Sequence, residues 1–247
     1  MTYKLDSQFI GYPQIEQIVA APATLAALPI SSGYLVRAED KVWGPGLFIF
    51  ARANGTIPAF GLCVLTPVWD ATNLTYTMNM TACPNTANLG RAVYVNQNGG
   101  MSAGQYGWFM IAGITPINGT ASVAADTTFG ITAAGQVGAN TAGKQILGAR
   151  VVTAATQTVV KVATGNIADT KINVPNTDGW FPGGYLSGTG VGAAAIISSI
   201  DPMGKYVIAS VANSAAIAGN VTVTYNNATI FYNVAVLDTS FAQGAIT

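Results

Sequence analysis

From Tyr34 onward the sequence is a succession of short runs rich in Val, Ile, Phe, Tyr and Thr, separated by Gly, Asn and Pro. Such runs are typical of β-strands, and Gly, Asn and Pro are typical of the turns between them. The predicted strands before residue 157 are 33–37, 47–53, 57–67, 73–80, 92–96, 106–113, 122–125, 128–132 and 147–154. So many short strands predict a mostly β fold, with a sandwich-like or barrel-like domain.

Two Asn-Gly pairs are candidate hairpin turns within this series. They are Asn54-Gly55 and Asn118-Gly119. Asn-Gly is favoured in type I′ turns because both central residues of such a turn need a positive φ. We therefore expect the chain to reverse direction at each pair.

The sequence pattern changes near residue 157, where a segment with about five predicted short strands and Gly/Pro-rich turns begins. The predicted strand 147–154 would lack a neighbour unless the last strand, near 230–237, returned to pair with it. An insertion needs its two ends close together, which neighbouring strands provide. We therefore predict a main β domain formed by residues 31–156 plus 230–247, and a small inserted β subdomain formed by residues 157–229.

Residues 1–30 show no strand alternation and are predicted to form an irregular N-terminal arm. The spacing of Ile15, Ile18, Leu25 and Leu28 indicates a short helix around 14–28. Pro22 would break or restart that helix, because proline lacks the backbone N–H that a helix interior needs.

Charged residues make up only 8% of the chain, with 10 basic and 10 acidic residues and no net charge. An ordinary soluble domain has roughly 25%. The surface must therefore be covered by uncharged polar residues, be buried in an assembly, or both. A chain with no net charge and no basic run is not expected to bind nucleic acid. No apolar run approaches the roughly 20 residues needed to span a membrane, so no membrane partner is expected either.

The sequence offers little for catalysis or metal binding. It contains no His, and its only two cysteines, Cys63 and Cys83, are distant in sequence. The absence of His excludes the commonest general base, and together with the two distant cysteines it excludes most kinds of zinc site. The Gly-rich stretch 188–192 precedes AAAIISSI, which favours a tight turn over a nucleotide loop. We expect no enzymatic activity, no cofactor and no metal. The two cysteines are expected to be buried or idle thiols, although a disulfide between them stays open.

Trp180 and Phe181 form the densest aromatic spot, in the run WFPGG. They allow two interpretations. One is an exposed patch that stacks on a sugar or binds a partner. The other is the core of the small subdomain, which needs large side chains to stabilise about 70 residues. The small size of the subdomain favours the core.

Three stretches, residues 32–57, 89–117 and 142–158, resemble the head decoration (capsid cement) proteins of tailed bacteriophages. In that family a W-G-x-G-x-F strand is followed by an A-G-Q-Y-G-W strand and then by an I-L-G-x-A strand. The matching positions are Trp43, Gly44, Gly46, Phe48, then Ala103, Gly104, Gln105, Tyr106, Gly107, Trp108, then Ile146, Leu147, Gly148 and Ala149. The segment 157–229 departs from the simplest members of the family.

The resemblance implies a structural virion protein on the outer surface of a phage head, made in the host cytoplasm. It would bind the major capsid protein of the same phage and bridge its subunits, as a homo-oligomer that is expected to be a trimer. Tyr3, Phe9 and Tyr12 in the N-terminal arm are the predicted capsid contacts. The alternative is a surface or fibre adhesin module that binds a host carbohydrate, with Trp180 and Phe181 as its platform.

Overall fold

The structure, a computed structural model, describes residues 4–5, 13–21, 28–71, 74–227 and 229–244. Within these ranges the chain forms strands, turns and irregular segments, with no helix. The strands are β1 (Lys4–Leu5), β2 (Leu35–Asp40), β3 (Gly44–Ala53), β4 (Ile57–Pro58), β5 (Leu62–Asp70), β6 (Thr75–Ala82), β7 (Val93–Asn96), β8 (Gly100–Met101), β9 (Tyr106–Gly119), β10 (Phe129–Ala133), β11 (Gln136–Ala139), β12 (Ile146–Thr153), β13 (Thr158–Gly165), β14 (Lys171–Asn173), β15 (Tyr185–Ser187), β16 (Ile197–Ile200), β17 (Tyr206–Ala209), β18 (Ile217–Thr224) and β19 (Phe231–Ala242).

The larger sheet has 11 strands and closes on itself. Its order is β1-β2-β3-β6-β5-β7-β9-β11-β10, and β3 also pairs directly with β9. Strands β3, β6, β5, β7 and β9 therefore form a closed circuit, the defining feature of a barrel. The predicted mostly β fold with a sandwich-like or barrel-like domain is confirmed.

The second sheet is built from residues 158–224, in the order β15-β18-β13-β14-β17-β16. Along the chain, β13 is the first strand of this sheet and β18 is the last. The two lie side by side and antiparallel, with Thr158 opposite Thr224 and Gly165 opposite Ile217. The entrance and exit of this segment are therefore adjacent. The chain then continues into β19, which pairs with β12 on one side and with β9 on the other.

One large core joins the two sheets, and a smaller core lies on the other face of the barrel. The large core includes Phe48 and Trp108 of the barrel together with Phe181 and Val223 of the second unit. The smaller core consists of Ile49, Ala51, Ala53, Ile57, Cys63, Met80, Met101 and Phe109. Barrel strands such as β3 are thus buried on both faces, which explains why the sequence of β3 is almost continuously apolar.

The predicted helix around 14–28 is wrong for residues 14–21 and 28, and residues 22–27 lie outside the described part of the chain. Val19 and Tyr106 instead exchange two backbone hydrogen bonds of 2.8 and 2.9 Å. The Trp108 indole Nε1 donates to the Pro13 carbonyl at 3.1 Å. The backbone groups that a helix would use internally are taken by β9, and Ile15 is fully buried.

Both predicted Asn-Gly turns are wrong, because tertiary pairing overrides the local preference. Asn118 and Gly119 lie inside the 14-residue strand β9. The Asn118 amide donates to the Ala59 carbonyl at 3.1 Å and its oxygen accepts from Gln136 at 2.8 Å. Asn54-Gly55 follows β3, whose partners are β2, β6 and β9 rather than the next strand. The predicted strand 122–125 is an irregular segment, in which Val123 N donates to the Asn233 side chain.

Candidate interaction surface

The hairpin formed by β5 and β6 leaves the barrel and projects beyond it. β6 pairs with β3 only at Asn79 and Met80, and β5 pairs with β7 only over its first three residues. The Ser32 hydroxyl accepts from Met78 N at 2.9 Å and donates to Met78 O at 3.4 Å, so the segment around Ser32 lies along β6 next to β3. Beyond this point the two hairpin strands pair with each other. We call residues 66–70 and 74–76 the hairpin tip.

The hairpin tip exposes large apolar side chains. Trp69 is 50% exposed, Tyr76 56% and Leu74 75%, and Val68 is also exposed. Trp69 and Tyr76 face each other across the strands, with ring centroids 5.1 Å apart. Such a pair contributes about 0.5–1.5 kcal/mol, which helps an otherwise marginal two-stranded ribbon to hold its shape. Large exposed apolar side chains grouped at one end of a hairpin make the tip a candidate site of contact with a partner.

The tip continues an apolar surface that begins on the barrel. Alternate residues of a strand share one face, so Trp69 lies on the same face as Leu65. Tyr76 likewise shares a face with Met78. Leu65 and Met78 are partly buried and pack against the smaller core. The exposed aromatic pair is therefore the outer end of an apolar stripe anchored in the protein body.

A groove of about 610 Å³ lies elsewhere on the same molecule. It runs between the N-terminal segment, the loop before β8, and the edge strand β16 of the second sheet. Its apolar lining comes from Ile18, Pro182, Ile196, Ile197, Ile200 and Pro202, and Ser198 and Ser199 lie exposed along it. Its volume falls within the usual range for binding pockets, about 300–1,000 Å³.

Trp180 and Phe181 do not form an exposed patch, since both are completely buried. Phe181 makes edge-to-face contacts with Phe60, Tyr225 and Tyr232 at centroid distances of 5.3, 4.7 and 5.1 Å. The Trp180 indole donates to a carbonyl of β13 at 3.3 Å. The platform interpretation is wrong and the core interpretation is correct, because these rings fill the junction between the two sheets.

The other predicted contact residues, Tyr3, Phe9 and Tyr12, lie outside the described residues. Sequence reasoning missed the hairpin tip altogether. A signal was present in VWDATNLTY, where Trp69 and Tyr76 stand on either side of a polar turn. Equal spacing from a turn places two aromatic residues opposite each other in a hairpin, which makes a cross-strand pair.

The described residues contain no group of three or more His, Cys, Asp or Glu side chains placed to hold a metal. The ion pairs found there are at the surface. Lys41 and Asp178 are 3.3 Å apart and link the β2–β3 turn to the second unit, and Arg150 contacts Asp126. Exposed pairs of this kind stabilise a fold by about 0–1 kcal/mol, so these two contribute little to stability.

Cys63 and Cys83 are free thiols, and both are buried. Burial raises the pKa of both thiols, that of Cys83 to about 12 despite the opposing effect of Arg91. Because the thiolate is the reactive form, we expect both to react with a thiol reagent at neutral pH at least about a hundredfold more slowly than a free cysteine. Ellman titration of the native and urea-unfolded chain checks this. Fast reaction of the native protein would contradict the burial.

In the part of the chain that is described, no helix is both long enough and apolar enough to cross a lipid bilayer. Comparison with protein-family models, with curated proteins and with solved structures finds no match.

Proposed function

We propose that the chain is a structural virion protein that binds the outer surface of a phage capsid and stabilises it by bridging major capsid protein subunits. The observation that carries the proposal is the projecting hairpin tip, an apolar aromatic surface on a rigid β body. Aromatic residues that are exposed in a free chain are typical anchors of protein–protein contacts. The low charge of the chain supports the same role, since interface cores are depleted in charged residues.

The family resemblance gives a second line of support. The motifs of its three stretches lie at the start of β3, β9 and β12, and β3 pairs with β9 while β19 joins β9 to β12. Their aromatic signature residues Trp43, Phe48 and Trp108 are buried. The resemblance therefore concerns the residues that build the body of the fold. In the proposed role that body works as a homotrimer, without cofactor or catalysis.

We expect the purified chain to pellet with expanded phage capsids that lack their decoration protein, to saturate at a fixed number of copies, and to raise the temperature at which the shell breaks. Co-sedimentation and calorimetry of the shells measure this. The same capsids with bovine serum albumin serve as the control. A chain that stays in the supernatant at all concentrations would contradict the proposal.

The adhesin alternative is now favoured by one observation only. Trp180 and Phe181 cannot stack on a sugar, but the exposed Trp69–Tyr76 pair offers two aromatic faces. Binding to a glycan array that is lost in Trp69→Ser, together with no binding to capsids, would establish the adhesin instead.

A further inference from the structure

We infer that Asn54 is a site of spontaneous deamidation, and that in the folded chain it converts to aspartate or isoaspartate much faster than any other asparagine that precedes a glycine. The sequence has three such pairs, Asn54-Gly55, Asn98-Gly99 and Asn118-Gly119. The reacting groups are the same in each pair, so a difference in rate between them comes from the fold. The reaction belongs to the isolated chain and occurs whether or not the chain binds a capsid.

The reaction needs only the two residues and water. The backbone nitrogen of the glycine attacks the side-chain carboxamide carbon of the asparagine and forms a cyclic imide. The bond from that carbon to the amide nitrogen breaks, and the nitrogen leaves as ammonia with the proton from the glycine N–H. Water then opens the ring at either carbonyl, giving aspartate or isoaspartate. Glycine permits the attack because it has no Cβ to hinder the approach of its nitrogen.

Both reacting groups are accessible at Asn54. The residue is exposed and lies with Gly55 in a bend between β3 and β4. Within the described part of the chain, neither the Asn54 side chain nor the Gly55 N–H makes a hydrogen bond. Apart from its chain neighbours, no atom lies within 4 Å of the place where a Cβ on Gly55 would stand. The side chain can therefore turn towards the glycine nitrogen without breaking any contact.

The bend can also form the ring without disturbing the barrel. Before the bend, the Asn54 N–H donates to the Met80 carbonyl at 2.8 Å. After it, Ile57 pairs with Met101. These backbone contacts lie on either side of the atoms that react, so the change in geometry is confined to the exposed bend.

Asn118 has the same glycine neighbour but is held inside β9. It is 2% exposed, its amide donates to the Ala59 carbonyl at 3.1 Å, and its oxygen accepts from Gln136 at 2.8 Å. Gly119 is paired with Phe231 of β19. Asn118 must therefore lose two side-chain hydrogen bonds before it can react. We expect this to slow the reaction by at least about 30-fold, which is about 2 kcal/mol at tenfold per 1.4 kcal/mol.

Asn98 is protected by complete burial. Its amide donates to the side-chain oxygen of Asn96 at 3.0 Å, and its backbone N–H donates to the same oxygen at 3.1 Å. Reaction at Asn98 therefore requires this part of the barrel to open locally, which a stable core does rarely. Of the three pairs, only Asn54-Gly55 reacts without such an opening.

The test is to incubate the purified full chain in mildly alkaline buffer, where the glycine nitrogen loses its proton more readily. Deamidation adds one carboxylate to 10 basic and 10 acidic residues, so the net charge falls from zero to minus one, which ion-exchange chromatography detects. Peptide mass spectrometry should show the change from NH₂ to OH at Asn54 and not at Asn98 or Asn118. In urea all three pairs should react at similar rates, because the fold no longer protects two of them.

A variant separates the chemistry of the bend from general ageing of the chain. Gly55→Ala should abolish the early acidic species, because the added methyl group hinders the attacking nitrogen, and the open space around it should leave the fold intact. Gly219→Ala is the matched control: no atom crowds that position either, and the acidic species should form as in the wild type. Thermal melting verifies that both variants are folded. A native chain unmodified at Asn54, equal rates at Asn54 and Asn118, or a Gly55→Ala variant that reacts like the wild type would each overturn the inference.

Discussion

Replacing Phe181 by Ala is expected to lower the free energy of unfolding by about 3–5 kcal/mol. The ring is completely buried and contacts three aromatic rings. Two of these rings belong to the larger sheet and its loops: Phe60 lies just before β5, and Tyr232 lies in β19. The third, Tyr225, directly follows β18 of the second sheet. Removing the ring leaves a cavity at the junction of the two sheets, and the neighbouring rings are too rigid to fill it.

Urea unfolding followed by tryptophan fluorescence measures the loss. Because the junction belongs to one continuous core, the wild type should unfold in a single transition. Phe241→Ala is the matched control: this Phe is 43% exposed at the end of β19, so its removal should cost about 1 kcal/mol or less. A Phe181→Ala variant as stable as that control would show that the ring does not hold the two sheets together.

The strands were largely predictable because their signal is local. β-branched and aromatic runs between Gly, Asn and Pro are present in the sequence itself, and most predicted strands overlap observed ones, as 47–53 does with β3. The expected pairing of the strand near 147–154 with the returning last strand is also observed, between β12 and β19. That inference rested only on the fact that the backbone N–H and C=O groups of a strand need hydrogen-bonding partners on a neighbouring strand.

The burial of individual aromatic residues could not be predicted in the same way. Trp69 and Trp180 both lie in short sequence segments typical of β-strands, yet Trp69 is half exposed and Trp180 is fully buried. What separates them is strand order, a long-range property: β5 runs past the end of β7, whereas the segment after β14 folds back between two sheets. Asn118 was misassigned for the same reason, since its side-chain partners Ala59 and Gln136 are distant in sequence.

Raising the pH above about 9 is expected to destabilise the fold progressively. Burial raises the pKa of several groups, most strongly those of Cys63, Cys83, Tyr225 and Tyr232. In the unfolded chain cysteine has a pKa of about 8.5 and tyrosine about 10. The unfolded chain therefore releases these protons first. The stability they contribute is fully present below the unfolded pKa values and is lost as the pH rises towards the folded ones.

The expected loss is about 1.4 kcal/mol per pH unit for each group between its two pKa values. For Cys83, whose folded pKa is about 12, this amounts to about 5 kcal/mol in all. Together the four groups should remove at least about 5 kcal/mol by about pH 11, comparable with the whole stability of many domains. Urea midpoints at several pH values measure the fall. Tyr232→Phe keeps the ring and should flatten the curve above about pH 10, whereas Tyr76→Phe, on the exposed tip, should follow the wild type. A midpoint that stays constant up to about pH 11 would mean that the four groups are not buried as described.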